Sequence, residues 1–249
     1  MKQYIKAINR KIFGENSFHK AAREKNKLEK NKKPVRTDII NFLLSVCEKQ
    51  NEATTYLEIG VRNPDHNFTH IKAKTKYSVD PGVEFEKNPV DFKLTSDEFF
   101  SQLDNGEILS KDTRFDVIFI DGLHLAEQVD RDIENALNYI KEDGFIVLHD
   151  CNPPTEWHAR EEYYYTLSPA EGYWNGTTWK AFVKWRQNGD LQSCCINTDW
   201  GVGIISKKQP IGNALKSGAN PFYEYKVMDD NRKEHLGLKS FEELKSALQ

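Results

Sequence analysis

Four polar residues stand where two apolar runs end. Phe115–Ile120 leads into Asp121, with His124 three residues on, and Phe145–Leu148 leads into His149 and Asp150. An imidazole takes up and releases a proton near neutral pH. An aspartate three positions before it can orient the ring or stabilise its charged form. His124, on the turn that enters a helix, is therefore the expected general base, with Asp121 and His149 beside it. His149 closes a buried strand, so it equally fits a hydrogen-bonded core histidine.

Two other strand ends carry acids. Leu57–Gly60 reads Leu-Glu-Ile-Gly, and Tyr77–Gly82 reads Tyr-Ser-Val-Asp-Pro-Gly. Asp80 lies twenty residues after Gly60, the spacing at which a nucleotide-binding sheet places an acid on ribose hydroxyls. Gly60 lets the backbone approach a ligand closely. After it come Arg62, Asn63, Pro64 and Asp65, where a pyrophosphate-binding loop would carry glycines and free amides. That loop and the acid Glu58 argue against a diphosphate and for a cationic ligand part. A methionine-derived sulfonium, with its positive sulfur and amino group, suits such a strand end. Taken by itself, Glu58 is as well read as a strand-edge carboxylate paired with a nearby Lys or Arg.

These residues need a scaffold that brings strand ends together. Tyr56–Ile59, Lys76–Val79, Phe115–Ile120 and Phe145–Leu148 read as strands, with amphipathic helical stretches between them. Val129, Ile133, Ala136, Leu137 and Ile140 share one helical face. The alternation implies an α/β fold, a doubly wound and mostly parallel sheet whose ligands sit beyond the strands' C-terminal ends. Cys194–Asn197 and Val202–Ser206 flank a Thr-Asp-Trp-Gly turn and read as an antiparallel edge hairpin. Ile39, Ile40, Leu43, Leu44, Val46 and Cys47 recur at helical spacing behind a Thr37 cap. Ser240 with Glu243 spells a capping box for a short C-terminal helix.

The Leu-Glu-Ile-Gly and Ser-Val-Asp-Pro-Gly segments and the long run from Phe115 to Pro153 together resemble class I S-adenosylmethionine-dependent methyltransferases. The nearest group is the sugar and natural-product O-methyltransferases, and the likeness covers roughly residues 54–206. The resemblance implies a Rossmann-like fold and transfer of a methyl group to a hydroxyl of a sugar or glycosylated metabolite. It places Glu58 and Gly60 at the methionine end of the cofactor, Asp80 on the ribose, Ser96 by the adenine, and Asp121 on the cofactor or on His124. Thr95 or Ser96 is equally a plain helix N-cap. In metal-dependent relatives, carboxylates at the positions of Asp121 and Asp150 bind Mg²⁺. Cys151 stands here where a third amide or acid ligand would be, which leaves Asn152 to reach the ion.

Residues 156–185 hold nine of the 29 aromatics, directly after the fourth strand. Trp179 and Phe182 fall on one helix face and are assigned to core. Trp157, Tyr164 (within the Tyr163–Tyr165 run) and Trp174 are candidates for an acceptor pocket, because aromatic planes cover the apolar faces of sugar rings. His158 and Arg160 beside them would suit an acidic acceptor.

Charge is uneven along the chain. Residues 1–36 hold twelve Lys/Arg against three acids and form a basic arm, read as a solvated and partly helical extension. Residues 37–249 form the methyltransferase-like domain, with a cofactor core over about 54–150, an aromatic acceptor-side insertion over about 151–190, and the hairpin and C-terminal helix over 191–249. The four cysteines contain no Cys-x-x-Cys pair, and no run is apolar enough to span a membrane. A cytoplasmic enzyme with a small-molecule or glycan acceptor is expected, with no nucleic-acid partner and with self-association left open. The competing readings are a nicotinamide-dependent oxidoreductase and a catalytically silent domain that binds through its basic arm.

Overall fold

Every residue of Phe115–Ile120 is buried, the pattern of a strand covered on both faces. It is an inner strand of the computed structural model, which describes residue 8 and residues 16–49, 53–84, 87–165, 167–216 and 218–249. In chain order the elements are α1 (Ser17–Asn31), α2 (Arg36–Glu48), β1 (Thr55–Ile59), β2 (Thr75–Val79), α3 (Ser96–Asn105), β3 (Phe115–Ile120), α4 (Ala126–Tyr139) and β4 (Ile140–Leu148). They continue as α5 (Thr178–Arg186), β5 (Gln192–Ile196), β6 (Val202–Ser206), α6 (Tyr225–Asp230), α7 (Arg232–His235), β7 (Leu238–Lys239) and α8 (Phe241–Leu248).

The sheet runs β2-β1-β3-β4-β6-β5-β7. The first four strands are parallel, β6 is antiparallel to both β4 and β5, and the two-residue β7 adds outside the hairpin. Alternation along the strands divides the core. Leu57, Ile59, Ile118, Ile120, Ile146 and Leu148 pack with residues of α3, α4 and α5. Tyr56, Val117, Phe119, Phe145 and Val147 pack on the other face with α2 and α8. Trp179 and Phe182 are fully buried, as their helical spacing predicts.

Local signals set several helix ends. Ser240 and Glu243 form the capping box of α8, and Thr95 with Glu98 does the same for α3. For α2 the cap differs from the sequence reading. Val35 is the N-cap residue and its amide donates to Asp38 Oδ2, while the Thr37 hydroxyl donates to Asn67 Oδ1 at 2.6 Å.

Residues 16–36 are not a solvated extension. In α1, Ala22, Asn26 and Glu29 are buried. Asn26 Oδ1 meets His158 Nε2 at 2.6 Å, and Glu29 Oε2 accepts from the Trp200 amide at 3.3 Å. Lys32 Nζ reaches Asn197 Oδ1 at 2.9 Å, and Thr198 Oγ1 donates to the Pro34 carbonyl at 2.7 Å. The segment is docked by polar partners 130 and more residues away, which a local charge count does not register. The rest of the basic arm, apart from residue 8, lies outside the described residues. Among the described residues no helix is long and apolar enough to cross a membrane.

Candidate active site

The chain leaves β1 toward β2 on one side, and leaves β3 toward β4 on the other. The connections leaving the tips of β1 and β3 therefore diverge, which makes this the switch point whose crevice takes the ligand in a doubly wound sheet. The Asp121 amide donates to the Ile59 carbonyl at 2.9 Å, and the Gly60 amide to Val79 O at 2.9 Å. Gly60 has φ +91°, and a Cβ there would lie 2.3 Å from the Asp121 carbonyl oxygen. Only glycine lets the two tips approach so closely.

The four residues singled out at the ends of β3 and β4 do converge. His124 Nε2 lies 3.3 Å from Asp121 Oδ1, and its Nδ1 lies 3.2 Å from Asp150 Oδ2. His149 Nδ1 is 3.3 Å from both of those oxygens. Two residues that the sequence does not mark as site residues complete the cluster. Asp199, in the β5–β6 turn, faces His149 Nε2 at 3.5 Å. Arg36, at the start of α2, puts Nη1 3.3 Å from Asp199 Oδ2 and Nε 3.9 Å from Asp121 Oδ2. Asp150 and Asp199 both have positive φ, 60° and 47°. Such backbone is strained for a non-glycine residue and persists where surrounding contacts hold it.

The turn that carries His124 is fixed from a distance. The Thr177 amide donates to the His124 carbonyl at 2.8 Å, and Thr177 Oγ1 accepts from the Ala126 amide at 2.8 Å, which caps α4. Gly176 packs so tightly on this turn that a Cβ would meet the His124 carbonyl oxygen at 2.0 Å. The Trp174 indole stacks on the His124 ring, 5.2 Å between centroids at 21°. Nδ1 also lies 3.3 Å from the Trp174 carbonyl, which can only accept. Nδ1 therefore carries a proton, and Nε2 is the nitrogen that gains or loses one.

Burial opposes charge on His124, but the Asp150 carboxylate, and then Asp121, outweigh it and raise its pKa above 6.5. The same two aspartates outweigh burial for His149 and raise it further. Asp121 is correspondingly held well below the carboxylate range: burial pushes it up, and the His149 charge and the bonds from both imidazoles prevail. Burial likewise opposes the low pKa of Asp199, where His149 and Arg36 prevail. Both imidazoles thus contribute stability that is complete below the unfolded histidine range and is lost as pH rises through their folded values. In the metal-free chain, NMR titration of the ring carbons should place His124 above 6.5, and Asp150→Asn should move it down. A native titration at or below that value, or no movement in the variant, would contradict the pairing.

On the side of β1 and β2, Glu58 is buried, and its Oε2 accepts from Tyr56 OH at 2.6 Å and Asn67 Nδ2 at 2.9 Å. Burial pushes this carboxyl up to about 7 despite those bonds. Its hydrogen bonds come from these neutral groups rather than from a Lys or Arg. Asp80 caps the β2 tip, where its Oδ1 accepts from the Gly82 amide and Asn88 Nδ2 at 2.6 and 2.7 Å. Ser96 is the first residue of α3, and its Oγ accepts from Gln128 Nε2 at 3.1 Å; the cap itself is Thr95. Between β1 and β2 the chain makes two 3-10 turns, Pro64–His66 and Phe68–His70, in place of the α-helix whose N-terminus would hold a pyrophosphate.

The aromatic candidates separate. Trp174 is half-buried against His124, with Tyr163 5.2 Å from it. Tyr164 is 81% exposed beyond Tyr163. Trp157 packs edge-on against Phe18 of α1. His158 is fully buried between Asn26 and Thr155, and burial lowers its pKa to about 4. It is a neutral tie between α1 and this segment and does not meet an acidic acceptor.

Asp121, His124 and Asp150 can each present one ligand atom within 4.8 Å of the others. Two carboxylates, one imidazole and retained waters fit a divalent cation. The third donor is His124 rather than Asn152, whose side chain is turned to Asn197 Oδ1 (3.2 Å) and Arg232. Cys151 is buried, with Sγ toward the Leu148 and His149 carbonyls.

Residues 40–151 match the family model described as a methyltransferase domain. Similar solved structures include an O-methyltransferase from Bacillus cereus in complex with SAH, 15% identical, covering 80% of this chain and 95% of that one with a TM-score of 0.40. Another is the plantazolicin methyltransferase BpumL in complex with SAH, at 11% identity, 82% and 100% coverage and a TM-score of 0.47. A third is the SAH-bound Podospora anserina methyltransferase PaMTH1, at 13% identity, 83% and 95% coverage and a TM-score of 0.43. No curated protein matches the chain.

Proposed function

We propose that the methyltransferase domain of residues 40–151 takes its methyl group from S-adenosylmethionine and passes it to a hydroxyl oxygen, on a sugar or glycosylated small molecule. The observation that carries this reading is the position of the Asp121–His124–Asp150 cluster beside the crevice at the β1 and β3 tips. A sulfonium and an ammonium suit the acids gathered there, and Asp80 at the neighbouring tip suits ribose hydroxyls. Glu58 acts as a buried support for the strand tip, charged in part near neutral pH, rather than as a full anion on the cofactor.

The reaction is an in-line displacement. A lone pair of the acceptor oxygen attacks the methyl carbon, the sulfur–methyl bond breaks with its electrons on sulfur, and S-adenosylhomocysteine leaves. An unactivated hydroxyl holds its proton tightly, so the proton passes to His124 Nε2 as the new bond forms. Asp121 stabilises the imidazolium, and the Trp174 carbonyl keeps Nδ1 protonated and the ring oriented. His149, enclosed by Asp121, Asp150 and Asp199, positions those carboxylates and does not face the acceptor. With a divalent cation bound, Asp121, Asp150 and His124 would hold it; His124 would then be a ligand in place of the proton acceptor, and the ion would supply Lewis-acid polarisation of the acceptor hydroxyl. Trp174 and Tyr163 supply apolar planes beside His124 for a sugar face, with Tyr164 at the outer rim.

Calorimetric titration with S-adenosylmethionine and with NAD⁺ tests the donor. Micromolar binding of the first and none of the second is expected; the reverse would turn the site into that of an oxidoreductase. Asp80→Ala should weaken S-adenosylmethionine by roughly tenfold or more, since a charged hydrogen-bond acceptor is lost, and unaltered affinity would refute the ribose assignment. Transfer of labelled methyl to a panel of sugars, with and without EDTA, tests the acceptor. Transfer that ignores EDTA assigns His124 to the proton, and transfer abolished by EDTA assigns it to the metal.

A further inference from the structure

Among the described residues, Arg36 is the one guanidinium or ammonium group bonded into the Asp121–Asp150–Asp199 cluster. It is held at one end. Its amide donates to Asp199 Oδ2 at 2.9 Å, and its Nη1 lies 3.3 Å from that oxygen and 3.4 Å from His149 Nε2. Nε and Nη2 donate to no described residue, although Nε is shielded from solvent. These two nitrogens form the side-on edge of the guanidinium, whose parallel N–H bonds match the two oxygens of a carboxylate. The nearest acid to that edge is Asp121 Oδ2, 3.9 Å from Nε and outside hydrogen-bond range. The Asp121 backbone lies against Gly60, so the acid nearest that edge stands at the switch point of the sheet.

The charges of the donor can be matched against this set. S-adenosylmethionine carries a sulfonium, an ammonium and one carboxylate. Asp121, Asp150 and Asp199 suit its cations, and among the described residues Arg36 is the guanidinium of this cluster that suits its anion. We propose that Arg36 binds the α-carboxylate of the donor side-on through Nε and Nη2, while Nη1 stays on Asp199. This rests on the S-adenosylmethionine reading above, and it makes the first residue of α2 part of the donor site.

The test compares S-adenosylmethionine with its decarboxylated analogue by calorimetry, in the full chain and in Arg36→Gln and Arg36→Lys. The unaltered chain should prefer S-adenosylmethionine by at least about tenfold, equivalent to about 1.4 kcal/mol. In Arg36→Gln the preference should fall to near unity through loss of S-adenosylmethionine affinity alone. Arg36→Lys keeps a cation against Asp199 but has no fork, so the preference should fall part of the way, and it serves as the test if the glutamine variant does not fold by circular dichroism. A preference that survives both substitutions, or equal weakening of the two ligands, overturns the proposal. So does an unaltered chain that binds the two ligands equally. An unaltered chain that binds neither overturns the donor reading itself.

Discussion

Replacing His124 by alanine should lower methyl transfer about 10²–10⁴-fold, the usual contribution of a positioned proton acceptor. S-adenosylmethionine affinity should stay within a few-fold, because His124 faces Asp121, Asp150 and Trp174 rather than the β1 and β2 tips. The contrast between a collapsed kcat and a steady donor Kd separates this role from a general loss of structure. Stopped-assay turnover and calorimetry on the same preparation provide both numbers. Turnover equal to that of the unaltered chain would remove His124 from the mechanism. A parallel loss of donor affinity would reassign it to cofactor binding.

The second large effect concerns the crevice itself. Gly60→Ala should destabilise the fold by about 3 kcal/mol or more, combining left-handed backbone strain with a displaced strand tip. The added Cβ would lie 2.3 Å from the Asp121 carbonyl oxygen and 2.5 Å from the Gly122 Cα, both backbone atoms that cannot rotate aside. The β1 and β3 tips must then part, and donor binding should fail with them. Urea unfolding reads the effect as a lower midpoint at unchanged slope. Gly189→Ala is the control, since a Cβ there meets nothing within 4 Å and the midpoint should barely move. If Gly60→Ala unfolds like that control and still binds the donor, the close approach of the two tips is not what shapes the site.

Much of the site was legible as periodicity. The buried run Phe115–Ile120 and the apolar end of β4 read as strands, and a parallel α/β sheet delivers the residues just past its strands to one edge. The convergence of Asp121, His124, His149 and Asp150 is therefore a consequence of the sequence pattern and the topology rule together. An N-cap at Thr95 or Ser96, the capping box of α8 and the core assignment of Trp179 and Phe182 were equally local facts. The roles of Asn152, His158 and Glu58 were not, because a side chain's direction and its water content depend on what is packed over it.

Arg36 marks the boundary most sharply. By sequence it is one of twelve cations in a basic arm, and nothing within a helical turn of it distinguishes it from the others. It is a site residue because Asp199, 163 positions later, is turned back on strained backbone to receive it. The amino-acid order alone determined which strands form and which side chains terminate them, since those properties are set by alternation over a few residues. Tertiary structure alone decided which distant charges are buried together and which imidazole nitrogen stays available. Those outcomes depend on desolvation and pair distances, and both exist only once residues 16–36 have docked on their distant partners.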